Sequence, residues 1–231
     1  MKLHHFFVDN EIGESKRVVI SDSSLFHQLK NVFRFTVGAQ VVLLDNSGFE
    51  YYAMVEEFRT GDVVFSIVSK RESPNAPARE LVLFVSLLKK DKFEWIVEKG
   101  TELGVSKFIP VLSDRSEKKG LNIERLEKII KESAEQSERA MMPKVSEAIS
   151  FEESLKQDFP CFVFDPKGDT FTIEHAQNYS PLGIFIGPEG GWSEKELFLF
   201  KKNNFRIYSL GSQILRAETA AIVVPAIILL G

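Results

Sequence analysis

The sequence predicts a chain in two parts, a small β-barrel followed by an α/β domain built on a parallel sheet. Three observations lead there. Over the first 72 residues, short apolar stretches alternate with turn signals, and many short strands in so little chain are best protected by closing the sheet on itself. Beyond residue 80, apolar runs alternate with amphipathic stretches of helical length, the pattern of parallel strands covered by helices on both faces. Between the two, Ser73-Pro-Asn-Ala-Pro-Ala-Arg-Glu80 sets two prolines in a polar segment that supports neither a helix nor a central strand. The boundary falls there, giving domains 1–72 and 73–231, sizes that suit one or two cores for this length of chain.

In the first domain the strands are Phe6–Val8, Arg17–Ile20, Gln40–Asp45, Phe49–Phe58 and Val63–Lys70, with turns at Asn46-Ser47-Gly48 and Gly61-Asp62. One helix, about Asp22–Phe33, interrupts them. In the second domain the expected strands are Leu81–Leu88, Phe108–Leu112, Cys161–Phe164, Leu182–Ile186 and Phe205–Leu210. The helices between and after them are Asp91–Leu103, Ile123–Arg139, Ser193–Lys202 and Ala217–Leu230. The last is apolar all round, so it calls for burial in a core or a subunit interface.

Composition narrows the function. Hydrophobic residues at 44% and charged residues at 27% exclude disordered and low-complexity classes. The net charge of -4 means that any nucleic-acid partner must meet a local basic surface. Residues 86–145 are the only mildly basic stretch, with 13 Lys plus Arg against 11 Asp plus Glu; alone, that pattern reads as a solvated helix face. A single cysteine, Cys161 in an apolar strand, reads as an inert core residue of a protein in a reducing compartment. The opening MKLHHFFVDN lacks the apolar core of a signal peptide, and the longest apolar run is cut by Pro225, so a soluble cytoplasmic protein with no membrane partner is expected. No metal is expected, because His4, His5, His27 and His175 lack metal-ligand spacing.

Four stretches could carry chemistry. Ile186-Gly-Pro-Glu-Gly-Gly-Trp-Ser193 follows an apolar strand and opens a helix, with Ser193 and Glu196 spaced as a capping box. Its glycines let a ligand approach the main chain, although a tight strand-to-helix turn needs no ligand. It matches neither a dinucleotide nor a P-loop fingerprint. Leu210-Gly-Ser-Gln-Ile-Leu-Arg-Ala-Glu-Thr-Ala220 runs from a strand into the final helix. Glu218 suits the positive end of that helix, whereas Arg216 is unfavourable there unless something anionic meets it. In Lys89-Lys-Asp-Lys92 a lysine cluster ends a strand, by spacing an ordinary solvated surface. Ser113-Asp-Arg-Ser116 and Ala134-Glu-Gln-Ser-Glu-Arg139 carry Arg115 and Arg139, which could each fork onto phosphate or carboxylate, although an arginine near a helix C-terminus is also ordinary dipole compensation; Gln136 is a polar side chain one turn before Arg139. Lys30 and Arg34, at i,i+4 on the first helix, form a small basic face.

Taken in order, K-x-D-K-x-E-x-x-x-E-K-x-T-E-L-G-V, S-D-R-S, A-E-Q-S-E-R, I-G-P-E-G-G-W-S and L-G-x-x-I-L-R-A-E-T-A resemble the RsmE family of 16S ribosomal RNA (uracil-N3)-methyltransferases, in the SPOUT superfamily. The resemblance spans essentially the whole chain. It implies a PUA-like N-terminal barrel that holds RNA, and a C-terminal α/β domain with a deep trefoil knot. It also implies a homodimer, with 16S rRNA in the small ribosomal subunit as partner and S-adenosylmethionine as cofactor. Carried onto this sequence, the cofactor loops are Phe164, Asp165 and Pro166; Ile186, Gly187, Pro188, Glu189, Gly190, Gly191 and Trp192; and Leu210, Gly211, Ile214, Leu215 and Thr219. Arg216 and Arg115 are expected near the chemistry, Gln136 and Arg139 at the base or its phosphate, and Lys30 and Arg34 on the RNA. The implied reaction is methylation of N3 of a uridine in the decoding region. A non-catalytic ribosome-binding factor on the same fold, and methylation at another RNA site, are the alternatives.

Overall fold

The computed structural model describes residues 3–75, 79–117 and 120–231. The chain folds into two units, Met1–Ala76 with Ala134–Met142, and Pro77–Ser133 with Pro143–Gly231.

In the first unit the strands are β1 (His5–Phe7), β2 (Arg17–Ile20), β3 (Gln40–Leu44), β4 (Phe49–Phe58) and β5 (Val63–Glu72). They form one sheet in the order β1-β3-β4-β5-β2, parallel only between β1 and β3. Alternation along the strands sends side chains to two buried faces. Phe6, Val41 and Leu43 join Tyr51, Val55 and Phe65 in one core, whereas Phe7, Val42 and Leu44 pack against Ala134 and Ala140 in another. The segment 134–142 therefore completes this unit, tied to it by Phe7 N–H donating to Glu135 at 2.9 Å and Met142 N–H donating to Asn46 at 2.7 Å.

Closure of the barrel is partial. Among the described residues, β1 and β2 end the sheet and are not paired with each other. The helical segment adds its own apolar side chains to the core of this sheet. Helix α1 (Ser23–His27) starts at Asp22, whose carboxylate accepts from Ser24 and Leu25 N–H. It passes into a π-helical turn, Gln28–Val32, and Leu25 and Leu29 are buried in the core.

The second unit alternates as expected. Strand β6 (Leu81–Ser86) is followed by helix α2 (Lys90–Leu103), β7 (Lys107–Leu112) and α3 (Ile123–Gln136), whose last residues belong to the first unit. Then come β8 (Lys144–Val145), β9 (Ile149–Ser150), α4 (Phe151–Ser154), β10 (Cys161–Thr170), β11 (Leu182–Ile186), α5 (Glu194–Lys202), β12 (Arg206–Ser209) and α6 (Ala217–Leu230). The sheet is parallel throughout, in the order β12-β10-β11-β6-β7-β8, with β9 also on β7. Its central strands β6 and β11 are buried at every residue, as parallel strands covered on both faces must be.

Two features of this sheet shape the site. β10 leaves it after Phe164 and rejoins at Asp169, both residues lying opposite Tyr208. Pro166 has no N–H to give a ladder, and Gly168 passes so close to β12 that an added Cβ would lie 2.6 Å from the Tyr208 backbone. Helix α6 follows β12 at the sheet edge yet packs on α2, β6 and β11. Its buried side carries Ala221, Val224 and Ile228.

Candidate active site

The buried end of β11 delivers Gly187–Trp192 to the carboxyl edge of the sheet, where open α/β folds bind ligands. The loop is locked at its far end by the expected capping box. Ser193 Oγ accepts from Glu196 N–H at 3.2 Å, and the Glu196 carboxylate accepts from Ser193 N–H at 2.7 Å. At the near end Gly187 lies under the indole of Trp192, which an added Cβ would approach to 3.1 Å. That indole is 4% exposed, donates Nε1–H to the Phe164 carbonyl at 3.3 Å and packs on Phe200 at a ring distance of 5.0 Å. Any side chain at 187 would have to push this indole aside.

The β10 detour and the segment after β12 meet this loop around a cavity of about 420 Å³. Phe164, Asp165 and Pro166 line it from one side, and Ile186, Gly187, Pro188, Glu189, Gly190, Gly191 and Trp192 from a second. Leu210, Ile214, Leu215 and Arg216 line the third. Gly211 and Thr219 are outside the lining, whereas Tyr208, Ser209, Gln213, Ala217 and Ala220 belong to it without having been singled out. Of these, Tyr208 and Ala220 sit in elements whose spacing signalled only packing.

Charge gathers around Glu189 and Gly190 of the cavity wall. Arg216 is the N-cap residue of α6, lines the cavity and acts electrostatically on the Glu189 carboxylate. Arg115 donates Nη1–H to the Gly190 carbonyl at 2.7 Å. Its loop is fastened to the glycine loop twice, through Asp114 N–H to Glu196 at 2.9 Å and Ser193 Oγ–H to Asp114 at 2.6 Å. Lys92, from the lysine cluster that spacing assigned to the surface, is ion-paired with Glu189 and, at 3.2 Å, with Glu218. The Lys92 ammonium, hydrogen-bonded to Glu189, holds that carboxyl below the usual carboxylate range, with Lys89 and Arg216 adding to the effect. Glu218 is thus a buried partner of Lys92 at the positive end of α6, where an acid is stabilised.

The four remaining candidates all lie in the first unit. Lys30 is exposed and extends over the rings of Phe26 and Phe58, 5.1 and 5.8 Å from their centroids. The expected helical face with Arg34 does not form. The π-helical turn ends at Val32, and Arg34, exposed, follows it with φ +55°. Gln136 is exposed at the end of α3. Arg139 requires a correction, because the chain turns left-handed at Glu138, φ +59°, and carries Arg139 inward to 5% exposure. Burial lowers its pKa to about 10, which leaves it charged at neutral pH.

Residues 74–229 match the family model of the RNA methyltransferase domain, and that defines the class to which this fold and cavity belong. A Bacillus subtilis protein, ribosomal RNA small subunit methyltransferase E, is 35% identical over 94% of this chain and 93% of its own length. A Rickettsia conorii protein of the same name is 29% identical over 96% and 93%. The chain belongs to the ribosomal RNA small subunit methyltransferase E family and is a methyltransferase. The crystal structure of a Neisseria gonorrhoeae protein of that name, bound to S-adenosyl methionine, superposes with a TM-score of 0.87 over 97% of this chain and 96% of its own. At 23% identity the likeness bears on the fold.

Proposed function

We propose that this protein transfers the methyl group of S-adenosylmethionine to N3 of uridine U1498 in 16S ribosomal RNA. The observation that carries this reading is the meeting of three loops, from β10, β11 and β12, around one cavity of about 420 Å³. Its size falls in the range of small-molecule sites, and the residues fit the cofactor. Adenine asks for apolar walls and main-chain hydrogen bonds rather than a phosphate cradle, and Ile186, Leu210 and Leu215 beside open glycine backbone supply both. The bound cofactor would supply an electrophilic methyl on a sulfonium.

The chain's own residues supply the rest. Arg216, at the cavity wall, and Arg115, hydrogen-bonded to the glycine loop, provide donors for charge that develops on the uracil ring, and such donors act most strongly in a dry site. The target base must leave its stack to be reached. Lys30 and Arg34, each exposed, hold RNA from a PUA-like first unit, and Gln136 contacts the base or its phosphate. The second unit is a SPOUT domain whose last helix is threaded as a trefoil knot, a reading supported by the return of α6 from the β12 edge to α2, β6 and β11. Homodimerisation is supported by the apolar circumference of α6, where Ile222, Val223, Ile227 and Leu229 are only half-buried. No helix among the described residues is long and apolar enough to cross a membrane, and ribosomal RNA as substrate sets the protein in the cytoplasm.

The test is transfer of tritium from labelled S-adenosylmethionine to unmethylated small subunits, followed by digestion and nucleoside chromatography. Label in N3-methyluridine is the expected result. Label in another nucleoside, or none from protein that binds the cofactor, refutes it.

A further inference from the structure

Beside the large cavity lies a second, of about 330 Å³, lined by Leu87, Leu88, Arg115, Ser116 and Glu117. The two share Pro188 and Glu189 as a common wall. We infer that the second cavity seats the acceptor uracil and that the Glu189 carboxylate is the base that takes its N3 proton. The inference rests on the N3-uridine reading above and adds to it the place of the base and the identity of the proton acceptor.

The chemistry of the imide edge fits this wall. Uracil presents one N–H donor between two carbonyl acceptors, so its seat needs an acceptor flanked by donors and an apolar surface against the ring. Leu87 and Leu88, both buried, give the apolar surface. Glu189 gives the acceptor, and Arg115, with one N–H on Gly190 and the others left for the ring, stands on the same cavity. Cytosine, whose N3 is an acceptor, would turn a lone pair toward the same carboxylate and be rejected.

Glu189 is the only carboxylate that borders both cavities among the described residues. The groups around it are Lys92 and Lys89 at the start of α2, Arg216 and Glu218 at the start of α6, and Arg115 and Glu117 after β7. The three cations that act on Glu189 keep it ionised at neutral pH and therefore able to receive a proton. A weakly basic carboxylate suffices, because the imide proton becomes strongly acidic as the N3 lone pair commits to carbon. The N3–CH3 bond forms, the S–CH3 bond breaks with its electron pair left on sulfur, and the N3 proton passes to Glu189 and then to water. Lys92, bridging Glu189 and Glu218, is a positioning residue that fixes the carboxylate in the shared wall.

The experiment is Glu189→Gln in the full chain, assayed on unmethylated small subunits across pH, with cofactor affinity measured in parallel by calorimetry. General-base removal costs about 100- to 10,000-fold in turnover at neutral pH, and the loss of cofactor affinity from changing this cavity-wall residue should be far smaller, about tenfold at most. The distinguishing result is recovery in alkali. The variant's rate should climb about tenfold per pH unit as the free imide ionises, while the wild-type rate stays level. A variant within tenfold of wild-type turnover, or one that loses cofactor affinity in step with turnover and shows no alkaline recovery, overturns the inference. Wild-type protein that labels some nucleoside other than N3-methyluridine defeats the underlying functional reading instead, and the two failures are told apart by that one control.

Discussion

Glu196→Ala removes a carboxylate that holds two loops at once. The side chain is 2% exposed, and its two oxygens accept from Asp114 N–H at 2.9 Å and Ser193 N–H at 2.7 Å. Leaving a buried donor without its acceptor costs about 1–3 kcal/mol, and hydrogen bonds to a charged group lie toward the upper end. Both donors are only partly buried, so water recovers some of the loss and the expected cost is about 2–4 kcal/mol. With an m-value of about 2 kcal/mol/M, the urea midpoint falls by about 1–2 M. Trp192 reports it directly in a Trp95→Phe background, where it is the sole indole of the chain. Cofactor affinity should weaken about tenfold, or 1.4 kcal/mol, because the glycine loop loses its far anchor. Turnover should fall further, because Arg115 rides on the Asp114 loop. Glu196→Gln keeps a carbonyl acceptor and should lose about half the stability of the alanine variant. A midpoint within about 0.3 M of the parent, with Kd unchanged, would refute the view that this carboxylate organises the site.

Three other outcomes follow from the same geometry. Gly187→Ala sets a methyl 3.1 Å from an indole held by its bond to Phe164 and its packing on Phe200, so it should cost about 1–3 kcal/mol in stability and weaken cofactor binding; wild-type values in a thermal melt and in calorimetry would sink the idea. Arg216→Ala should lose about 100- to 1,000-fold in turnover with cofactor Kd within about threefold, and equal losses in both would reassign the residue to binding. Burial raises the Cys161 thiol pKa to about 12, so the folded protein should not react with an aromatic disulfide at pH 8. The unfolded thiol releases its proton from about pH 9 while the folded one keeps it. Stability therefore falls above that pH by up to about 1.4 kcal/mol per unit, and an identical slope in Cys161→Ala would contradict the assignment.

Where the sequence could be read and where it could not has a physical pattern. Regular elements with strong periodicity came through, including Arg17–Ile20, Phe49–Phe58, Leu182–Ile186 and Ala217–Leu230 to the residue. The Ser193–Glu196 box was visible because both of its partners are local. β8 and β9, two residues each, are too short to show any alternation. The far half of β10, with Asp165, Pro166 and Gly168, reads as loop and becomes strand only by pairing with β12. The allegiance of 134–142 to the first unit, and with it the burial of Arg139, depends on partners 90 to 130 residues away. Lys92 sat in a cluster that looked like solvated surface, and only the fold brings Glu189 and Glu218 to it.

The detour in β10 has a consequence for anyone redesigning the site. Residues 165–168 leave and re-enter the sheet against a single partner, Tyr208, like a hasp closed on one staple. Side chains at 165–167 can be exchanged to reshape the wall, but Gly168 has no room for a Cβ against the Tyr208 backbone, and an inserted or deleted residue would leave one end unpaired and shift the rest of β10 onto the wrong face. Loop length, together with the glycine at 168, is what a redesign must hold fixed.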